Sequence, residues 1–276
     1  MPEWRECPTR PQNDGKYEMT KIVSTHSYRG GTGKSNLTAN LAAGLALRGH
    51  RVGIVDTDIQ SPGIHALFRV DPHSLRFTLN DYLWGRCGVA ETALDVTGGI
   101  VDENGAAVVP DGGKAFLVPS SIKTGEIARI LKEKYNVEDL NTGFQDLCSD
   151  LNLDYLMIDT HPGVNEETLL SIAISDTLML LLRPDIQDYQ GTAVTLELAR
   201  KLEVPQLLLV VNKALESFDF NDLAQRIFSS YRTPVAAVLP LSTDLVRIGS
   251  TGLVRTLLPE HRFSQGIETI LDLIEH

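Results

Sequence analysis

The sequence predicts an α/β protein with a mostly parallel β-sheet and helices on both faces of that sheet. Short runs rich in Val, Ile and Leu alternate with stretches of helical hydrophobic spacing along nearly the whole chain, and this alternation is typical of βαβ units. A glycine-rich segment also lies between the first apolar run and the first helical stretch. Strand, glycine-rich turn and helix in this order are typical of a phosphate-binding fold.

Seven apolar runs are too short for helices and are bounded by turn or polar residues, so we predict that they form buried strands. They span residues 21–24, 51–55, 115–118, 155–158, 177–182, 206–211 and 235–238. Seven helical stretches accompany them, over residues 37–48, 126–134, 141–151, 167–174, 190–202, 220–231 and 263–274.

The domain organisation predicted from the 276 residues is a single domain over residues 19–276, because 42% hydrophobic content provides for one substantial core. Residues 1–18 lack hydrophobic periodicity and carry turn formers, so we expect a flexible tail, with Met19 as an alternative start. Residues 96–119 contain Gly-Gly and Asn-Gly pairs typical of hairpin turns, and they predict a β-hairpin insertion.

Composition and charge exclude several classes of protein. The net charge of -11 disfavours a protein that coats nucleic acid or an anionic membrane with its whole surface. Cys7, Cys87 and Cys148 are odd in number and widely spaced, which indicates neither a disulfide framework nor a CxxC metal site. Residues 1–16 have no apolar signal segment and no run reaches transmembrane length, so we expect a cytoplasmic location.

The glycine-rich segment predicts a phosphate-binding loop. Glycines allow backbone N–H groups to approach a triphosphate, Lys34 places a charge on the outer phosphates, Ser35 offers a hydroxyl to Mg²⁺, and the following helix adds its positive end. The predicted nucleotide contacts are Gly30, Gly31, Thr32, Gly33, Lys34, Ser35 and Asn36. Tyr28 replaces the first glycine of the G-x-x-x-x-G-K-S/T pattern, so the competing interpretation is a glycine-rich turn with a chance Lys-Ser pair.

Carboxylates follow two of the predicted strands. Asp56 and Asp58 come directly after residues 51–55, and Asp159 follows residues 155–158. A nucleotide hydrolase needs such groups at strand ends to hold Mg²⁺ and to orient the attacking water, whereas a lone aspartate at a strand end is more often a cap or turn former. We assign Asp56 and Asp159 to Mg²⁺ and place Asp58 over the γ-phosphate. His161 is interpreted as a local hydrogen-bonding residue outside the catalytic set.

Together the loop, the Asp-x-Asp-x-Gln segment at residues 56–60 and the Asp-Thr-His-Pro-Gly segment at residues 159–163 resemble the MinD/ParA family of deviant Walker A P-loop ATPases. This resemblance implies a P-loop NTPase-type fold, ATP/ADP and Mg²⁺ as cofactors, and ATP hydrolysis. It further implies that Ser35 binds Mg²⁺, that Asp58 positions the hydrolytic water and that Asp159 is the Walker B acid. Asn212 matches the asparagine that reads adenine in relatives, and Pro240 lies where relatives pack a loop against the base.

Arg29 occupies the position of that family's signature lysine, which reaches the partner's phosphates across a nucleotide-sandwiched homodimer. Arginine keeps the charge, but its planar guanidinium is bulkier and bridges oxygens in pairs. The resemblance therefore leaves two roles open for Arg29, contact with the partner's phosphates or an arginine finger at the transition state.

The resemblance implies a switch in which ATP closes the dimer, an adaptor protein stimulates hydrolysis, and a cargo is partitioned or positioned. The acidic C-terminal segment argues against membrane binding by a basic amphipathic helix. Non-specific DNA binding stays open, and it would use basic residues that have acidic neighbours in sequence; these are Arg200, Lys201, Arg226, Arg232, Arg247 and Arg255. The alternative function is a nucleotide-gated interaction module with little turnover. The cysteine spacing disfavours an iron–sulfur carrier, and the lack of a tyrosine-rich tail disfavours a tyrosine kinase.

Overall fold

The computed structural model describes residues 9–11, 17–133, 135–249 and 251–276. Ten strands occur in these residues: β1 (Thr9–Pro11), β2 (Tyr17–Met19), β3 (Lys21–His26), β4 (Arg51–Asp56), β5 (Leu94–Asp95), β6 (Lys114–Val118), β7 (Tyr155–Asp159), β8 (Thr177–Leu182), β9 (Gln206–Ala214) and β10 (Val235–Pro240). The last eight form one sheet in the order β10-β9-β8-β3-β7-β4-β6-β5. Every pair in it is parallel except β5 with β6 at one edge, which confirms the predicted fold class.

Helices connect the strands and cover both faces of the sheet. Those in the described residues are α1 (Lys34–Leu47), α2 (Ile64–Leu67), α3 (Leu79–Leu83), α4 (Thr124–Lys132), α5 (Val137–Asp150), α6 (Glu166–Ile174), α7 (Ile186–Lys201), α8 (Phe220–Tyr231), α9 (Thr243–Ile248), α10 (Val254–Leu257) and α11 (Arg262–Glu275). The seven predicted helical stretches correspond to α1, α4, α5, α6, α7, α8 and α11.

The core explains why the strands are apolar on both sides. Within β7, Met157 joins the apolar cluster on one face of the sheet, while Leu156 and Ile158 join the cluster on the other face. Helix α1 is buried along most of its length between the sheet and α11. A Cβ on Gly44 of α1 would lie 2.4 Å from Leu271 of α11, so this glycine permits the close approach of the two helices.

The observed elements extend or add to the predicted ones. Strand β3 reaches His26 and β9 reaches Ala214, each beyond its predicted run, because the pairing with neighbouring strands continues through polar residues. The helices α2, α3, α9 and α10 have four to six residues, fewer than two helical turns, and were not predicted.

The predicted insertion at residues 96–119 divides into two parts. Val101 and Ala107 form an antiparallel bridge around a turn, as in a small hairpin. Strand β6, in contrast, belongs to the main sheet beside β4.

The predicted tail lies largely outside the described residues, since residues 1–8 and 12–16, with Cys7, are not among them; nor is residue 134, the last of a predicted helix. Strands β1 and β2 pair antiparallel. Among the helices of the described part, none combines the length and apolar character needed to span a bilayer.

Candidate functional site

The glycine-rich loop connects the carboxyl end of β3 to the first residue of α1, Lys34. Gly31 and Gly33 have φ of 73° and 101°, a region that strongly favours glycine. A Cβ on Gly33 would also lie 2.5 Å from Asn212 Nδ2, so a side chain is excluded here for a second reason. The loop therefore presents its backbone at the positive end of α1, as an anion-binding loop requires.

The side chain of Lys34 is buried, with 6% of its surface exposed, and its Nζ lies 3.3 Å from Ser27 Oγ. Ser27 donates to the Arg29 carbonyl oxygen and accepts from Thr32 Oγ1, so it holds both ends of the loop. Burial lowers the pKa of Lys34, and the charges of Asp159, Asp58 and Asp56 oppose this effect. Lys34 thus faces the three predicted carboxylates.

Asp56 and Asp159 end the neighbouring strands β4 and β7 and lie directly opposite each other in the sheet. Both are fully buried, and burial raises the pKa of each carboxyl well above its usual range. For Asp56 the charge of Asp159 adds to this rise, whereas Ser35 and Lys34 oppose it for Asp159. Among the described residues, Asp56 Oδ2 and both oxygens of Asp159 have no hydrogen bond of ordinary geometry, although the Ser35 hydroxyl lies close enough to Asp159 to lower its pKa.

These orphaned oxygens fit a site for a hydrated Mg²⁺, which binds one or two carboxylates and completes its shell with water and phosphate oxygens. No three His, Cys, Asp or Glu side chains of the described residues form a metal cage by themselves. An ion bound beside Ser35 and Asp159 would therefore need a phosphate to complete its coordination.

Asp58 lies on the loop after β4, and His161 lies on the loop after β7. His161 Nδ1 and Asp58 Oδ1 are 2.8 Å apart. Asp58 faces Lys34 and Asp159 closely enough to influence the pKa of both. The sequence placed Asp58 in the site but left out His161, because a histidine beside a Pro-Gly turn gives no signal of its distant partner.

His26, the last residue of β3, is a second histidine in this region. Its Nδ1 lies 2.7 Å from Thr160 Oγ1, which itself donates to the Thr25 carbonyl, so Nδ1 carries the proton. Burial and the charge of Lys34 lower the pKa of His26 to about 3. The ring is therefore neutral at physiological pH.

On the other side of the loop, Arg29 is paired with acidic residues at the start of α7. Its guanidinium lies 3.5 Å from Asp188 and 3.7 Å from Asp185. Arg183 binds Asp188 through Nε at 3.0 Å and also contacts Asp185. Burial raises the pKa of Asp188, but the Arg183 hydrogen bonds and the two arginine charges outweigh it and hold that pKa below its usual range.

Tyr28, the residue in place of the first loop glycine, packs on Gly191 of α7. A Cβ on Gly191 would lie 2.2 Å from the tyrosine ring. Gly191 therefore leaves space on α7 for the ring of Tyr28, which stands where the loop pattern has a glycine. Tyr28 and Arg29 together tie the loop to α7.

Asn212 and Pro240 lie near the carboxyl ends of the adjacent strands β9 and β10. Asn212 Nδ2 donates to the Thr32 carbonyl oxygen at 2.8 Å. Its neighbour Lys213, which adopts a left-handed φ of 57°, donates from Nζ to the Gly31 carbonyl oxygen at 2.7 Å. Lys213 was not among the predicted site residues. In the sequence, only its position next to Asn212 points to the site.

The structure thus gathers the predicted loop residues, Asp56, Asp58, Asp159 and Asn212 around one edge of the sheet. The side chain of Arg29 instead contacts the start of α7, and Pro240 lies one strand beyond Asn212. Their roles stay predictions.

Most of the basic residues considered for DNA binding have partners in the chain. Four form ion pairs with acidic side chains, Lys201 with Glu197, Arg226 with Asp222, Arg247 with Asp244 and Arg255 with Glu268, and Arg200 binds the Tyr231 carbonyl.

Residues 23–255 match the family model described as the CobQ/CobB/MinD/ParA nucleotide binding domain, which covers most of the chain. The chain belongs to this family, and the resemblance to MinD/ParA proteins is confirmed at this level.

Relatives within the family have several functions. The flagellum site-determining protein YlxH of Helicobacter pylori is 25% identical over 263 residues, which are 92% of this chain and 82% of that protein. An iron-sulfur cluster carrier protein of Methanocaldococcus jannaschii is 30% identical over 212 residues, 73% of this chain and 64% of the carrier. The septum site-determining protein MinD of Pyrococcus horikoshii, solved with Mg-ADP, has a TM-score of 0.74 at 20% identity and covers 93% of this chain and 96% of its own.

Proposed function

We propose that this protein is a Mg²⁺-dependent ATPase that works as a MinD/ParA-type switch, forming a nucleotide-sandwiched homodimer whose hydrolysis cycle positions or partitions a cargo. The observation that carries the proposal is the pair of buried carboxylates, Asp56 and Asp159, because Asp56 Oδ2 and both Asp159 oxygens lack a hydrogen bond of ordinary geometry among the described residues, beside the buried Lys34. A buried charge without a partner is costly, and proteins retain such groups where a ligand completes them.

In this proposal the backbone N–H groups of residues 30–35 and the N-terminus of α1, including Asn36, bind the phosphates. Lys34 contacts the outer phosphates, and Ser35 with Asp159 and Asp56 holds Mg²⁺ and its waters. A Mg²⁺ ion held there would supply positive charge against the charge that develops on the phosphate oxygens. Asp58 orients the attacking water. Asn212 and Pro240 contact the adenine from the ends of β9 and β10.

Support for a homodimer comes from exposed apolar side chains at the carboxyl edge of the sheet. An exposed large apolar residue follows each of five parallel strands, on the loop that leaves the strand or at the first residue of the next helix. They are Tyr28 after β3, Val164 after β7, Ile186 after β8, Leu215 after β9 and Leu241 after β10. Carboxyl ends of parallel strands share one edge, so these side chains surround the phosphate loop. Exposed apolar surface of this kind is typical of an interface, and a second copy would bury it together with the nucleotide.

Arg29 has to leave Asp185 and Asp188 before it reaches a phosphate of the partner or acts as an arginine finger. This intramolecular pairing favours a second candidate function, a nucleotide-gated interaction module that binds ATP with little turnover. In both candidates an adaptor protein is the expected partner. Flagellar placement, the task named for the Helicobacter pylori relative, is one cargo class that the switch would serve.

Steady-state ATP hydrolysis tests the proposal, with wild type, Arg29→Lys and Lys34→Met as the three proteins. The switch predicts turnover in wild type and none in Lys34→Met, which keeps most of the length of the buried side chain but lacks its charge. If wild type and Arg29→Lys both bind ATP and neither hydrolyses it, the switch is wrong and the interaction module replaces it.

A further inference from the structure

The contact between His161 and Asp58 joins two loops that leave neighbouring strands. Asp58 follows β4 and His161 follows β7, and their side chains meet at 2.8 Å between Nδ1 and Oδ1. Both side chains are mostly buried, with 23% of His161 and 15% of Asp58 exposed. A hydrogen bond of this length between shielded groups restrains the rotation of the carboxylate.

The chemistry of the pair assigns its donor. An ionised carboxylate only accepts hydrogen bonds, so the proton between the two groups lies on His161 Nδ1. Asp58 Oδ1 accepts a second hydrogen bond, from the Ser61 backbone N–H at 3.2 Å. Among the described residues, every hydrogen bond to this carboxylate falls on Oδ1. Oδ2 is therefore the oxygen left for another donor, and it lies on a side chain that faces Lys34.

We propose that His161 is a positioning residue for hydrolysis, which fixes the Asp58 carboxylate so that Oδ2 faces the attacking water. This inference deepens the proposed ATPase function and rests on it. His161 itself touches neither the nucleotide nor the water; it acts through Asp58. Because His161 lies two residues after Asp159, the contact also couples the orientation of Asp58 to the loop that carries the Mg²⁺ ligand.

A merely structural histidine and a positioning histidine predict different kinetics. Loss of a structural contact destabilises the loop whether or not Asp58 is functional. Loss of a positioning contact lowers kcat only while Asp58 has its carboxylate. His161→Asn keeps a hydrogen-bond donor and removes the imidazole ring, so it shows which of the two is needed. The asparagine Nδ2 reaches about as far from the backbone as the histidine Nδ1 and donates to the same oxygen.

The test measures kcat and KM for ATP with Mg²⁺ on the full chain. The variants are His161→Ala, His161→Asn, Asp58→Asn and the double variant Asp58→Asn with His161→Ala, and the control is His73→Ala, a histidine on an exposed turn. Removal of one positioning contact is expected to lower kcat about tenfold or more in His161→Ala, with KM within about twofold. His161→Asn should recover most of the rate, and His161→Ala should cost nothing further in the Asp58→Asn background.

A second readout is independent of hydrolysis. In ¹⁵N NMR of the histidine rings of the nucleotide-free protein, His161 should show the Nδ1–H tautomer, and its signal should shift in Asp58→Asn. The His161→Asn variant assigns the signal by its disappearance. A different tautomer, or a signal that does not respond to Asp58→Asn, overturns the proposed contact.

The kinetic outcomes separate this inference from the proposed function. If wild type hydrolyses ATP and His161→Ala keeps its kcat, or loses as much again in the Asp58→Asn background, His161 is not a positioning residue and the ATPase function stands. If wild type does not hydrolyse ATP, the proposed function fails, and the catalytic role of His161 fails with it.

Discussion

The two sides of the phosphate loop treat charge in opposite ways. On the carboxylate side, formed by the ends of β4 and β7, Asp56 and Asp159 are buried, and Asp56 Oδ2 and both Asp159 oxygens lack a hydrogen bond of ordinary geometry among the described residues. On the arginine side, formed by the end of β8 and the start of α7, Arg29 and Arg183 are paired with Asp185 and Asp188.

The two sides therefore differ in how far their charges are already paired within the chain. In the proposed function, the carboxylate side would gain partners when a cation and a phosphate bind. The arginine side is already satisfied within the chain, so it has to give up contacts before it takes part in chemistry. Nucleotide binding would therefore involve the carboxylate side of the loop, and dimer formation would involve the arginine side.

The largest effect is expected for Lys34→Met. This change removes the buried charge of Lys34, which faces Asp56, Asp58 and Asp159, so these carboxylates would repel the phosphates with less compensation. Loss of a buried charge contact costs about 3 kcal/mol, or roughly 100-fold in nucleotide affinity. Isothermal titration with ADP and ATP measures it, with Lys114→Met as the control because Lys114 pairs with Asp95 on an exposed surface. Unchanged affinity would mean that the carboxylate side is not a phosphate site.

Asp159→Asn should stabilise the nucleotide-free protein at neutral pH, because it removes a buried carboxylate whose burial outweighs the compensation from Ser35 and Lys34. The gain is expected to be about 2 kcal/mol in the free energy of unfolding. A carboxyl whose pKa is raised by folding costs no stability below its unfolded pKa of about 3.9, and the cost grows as the pH rises toward the folded pKa.

Thermal unfolding at several pH values measures this gain. Wild type and Asp159→Asn should differ most near neutral pH and converge in acid. ATP with Mg²⁺ should stabilise wild type more than the variant, since the variant lacks a charged ligand for the ion. A variant that is less stable than wild type at neutral pH would show that Asp159 has a partner in the free protein.

Gly191→Ala should disturb the arginine side, because its Cβ would lie 2.2 Å from the Tyr28 ring. Overpacking of this kind costs about 1–3 kcal/mol, and we expect a lower melting temperature together with weaker ATP binding. The double variant Tyr28→Ala with Gly191→Ala should recover part of the loss. Gly125→Ala is the control, since a Cβ there meets nothing within 4 Å. Equal effects of the two alanines would mean that helix geometry, and not the Tyr28 contact, matters.

Asp185→Asn should have the smallest effect, since the Arg29 pair is about 40% exposed and solvent weakens it. Asparagine still caps α7, so only the charge is lost. We expect the ATP-dependent dimer to form a few times more readily, measured by sedimentation velocity. Asp219→Asn is the matched control, because Asp219 caps α8 in the same manner. A weaker dimer would mean that Asp185 contributes to the interface instead of restraining Arg29.

Local signals predicted most of the fold. All seven parallel strands and the seven longer helices follow from apolar runs and helical spacing, and the loop residues, Asp56, Asp58 and Asp159 follow from their positions at strand ends. The contacts that distinguish this site join residues far apart in sequence. Arg29 meets Asp188 because β3 lies beside β8, and His161 meets Asp58 because β7 lies beside β4. Lys213 meets Gly31 because β9 is separated from β3 only by β8. No periodicity in a single sequence encodes that order.

The short helices escaped prediction for a related reason. Helices α2 and α10 have four residues each, too few to show a hydrophobic period. Their apolar residues Ile64, Leu67 and Val254 instead pack into the cluster around α1, so tertiary contacts fix these turns.

The most direct test of the account is size-exclusion chromatography with light scattering on wild type and Asp58→Ala, each with ADP and with ATP and Mg²⁺. We predict a monomer with ADP, a doubling of mass with ATP in both proteins, and a dimer that decays in wild type while it persists in Asp58→Ala. If neither protein changes mass with ATP, the nucleotide-sandwiched dimer is contradicted, and the pairing of Arg29 with α7 is then a permanent part of the fold.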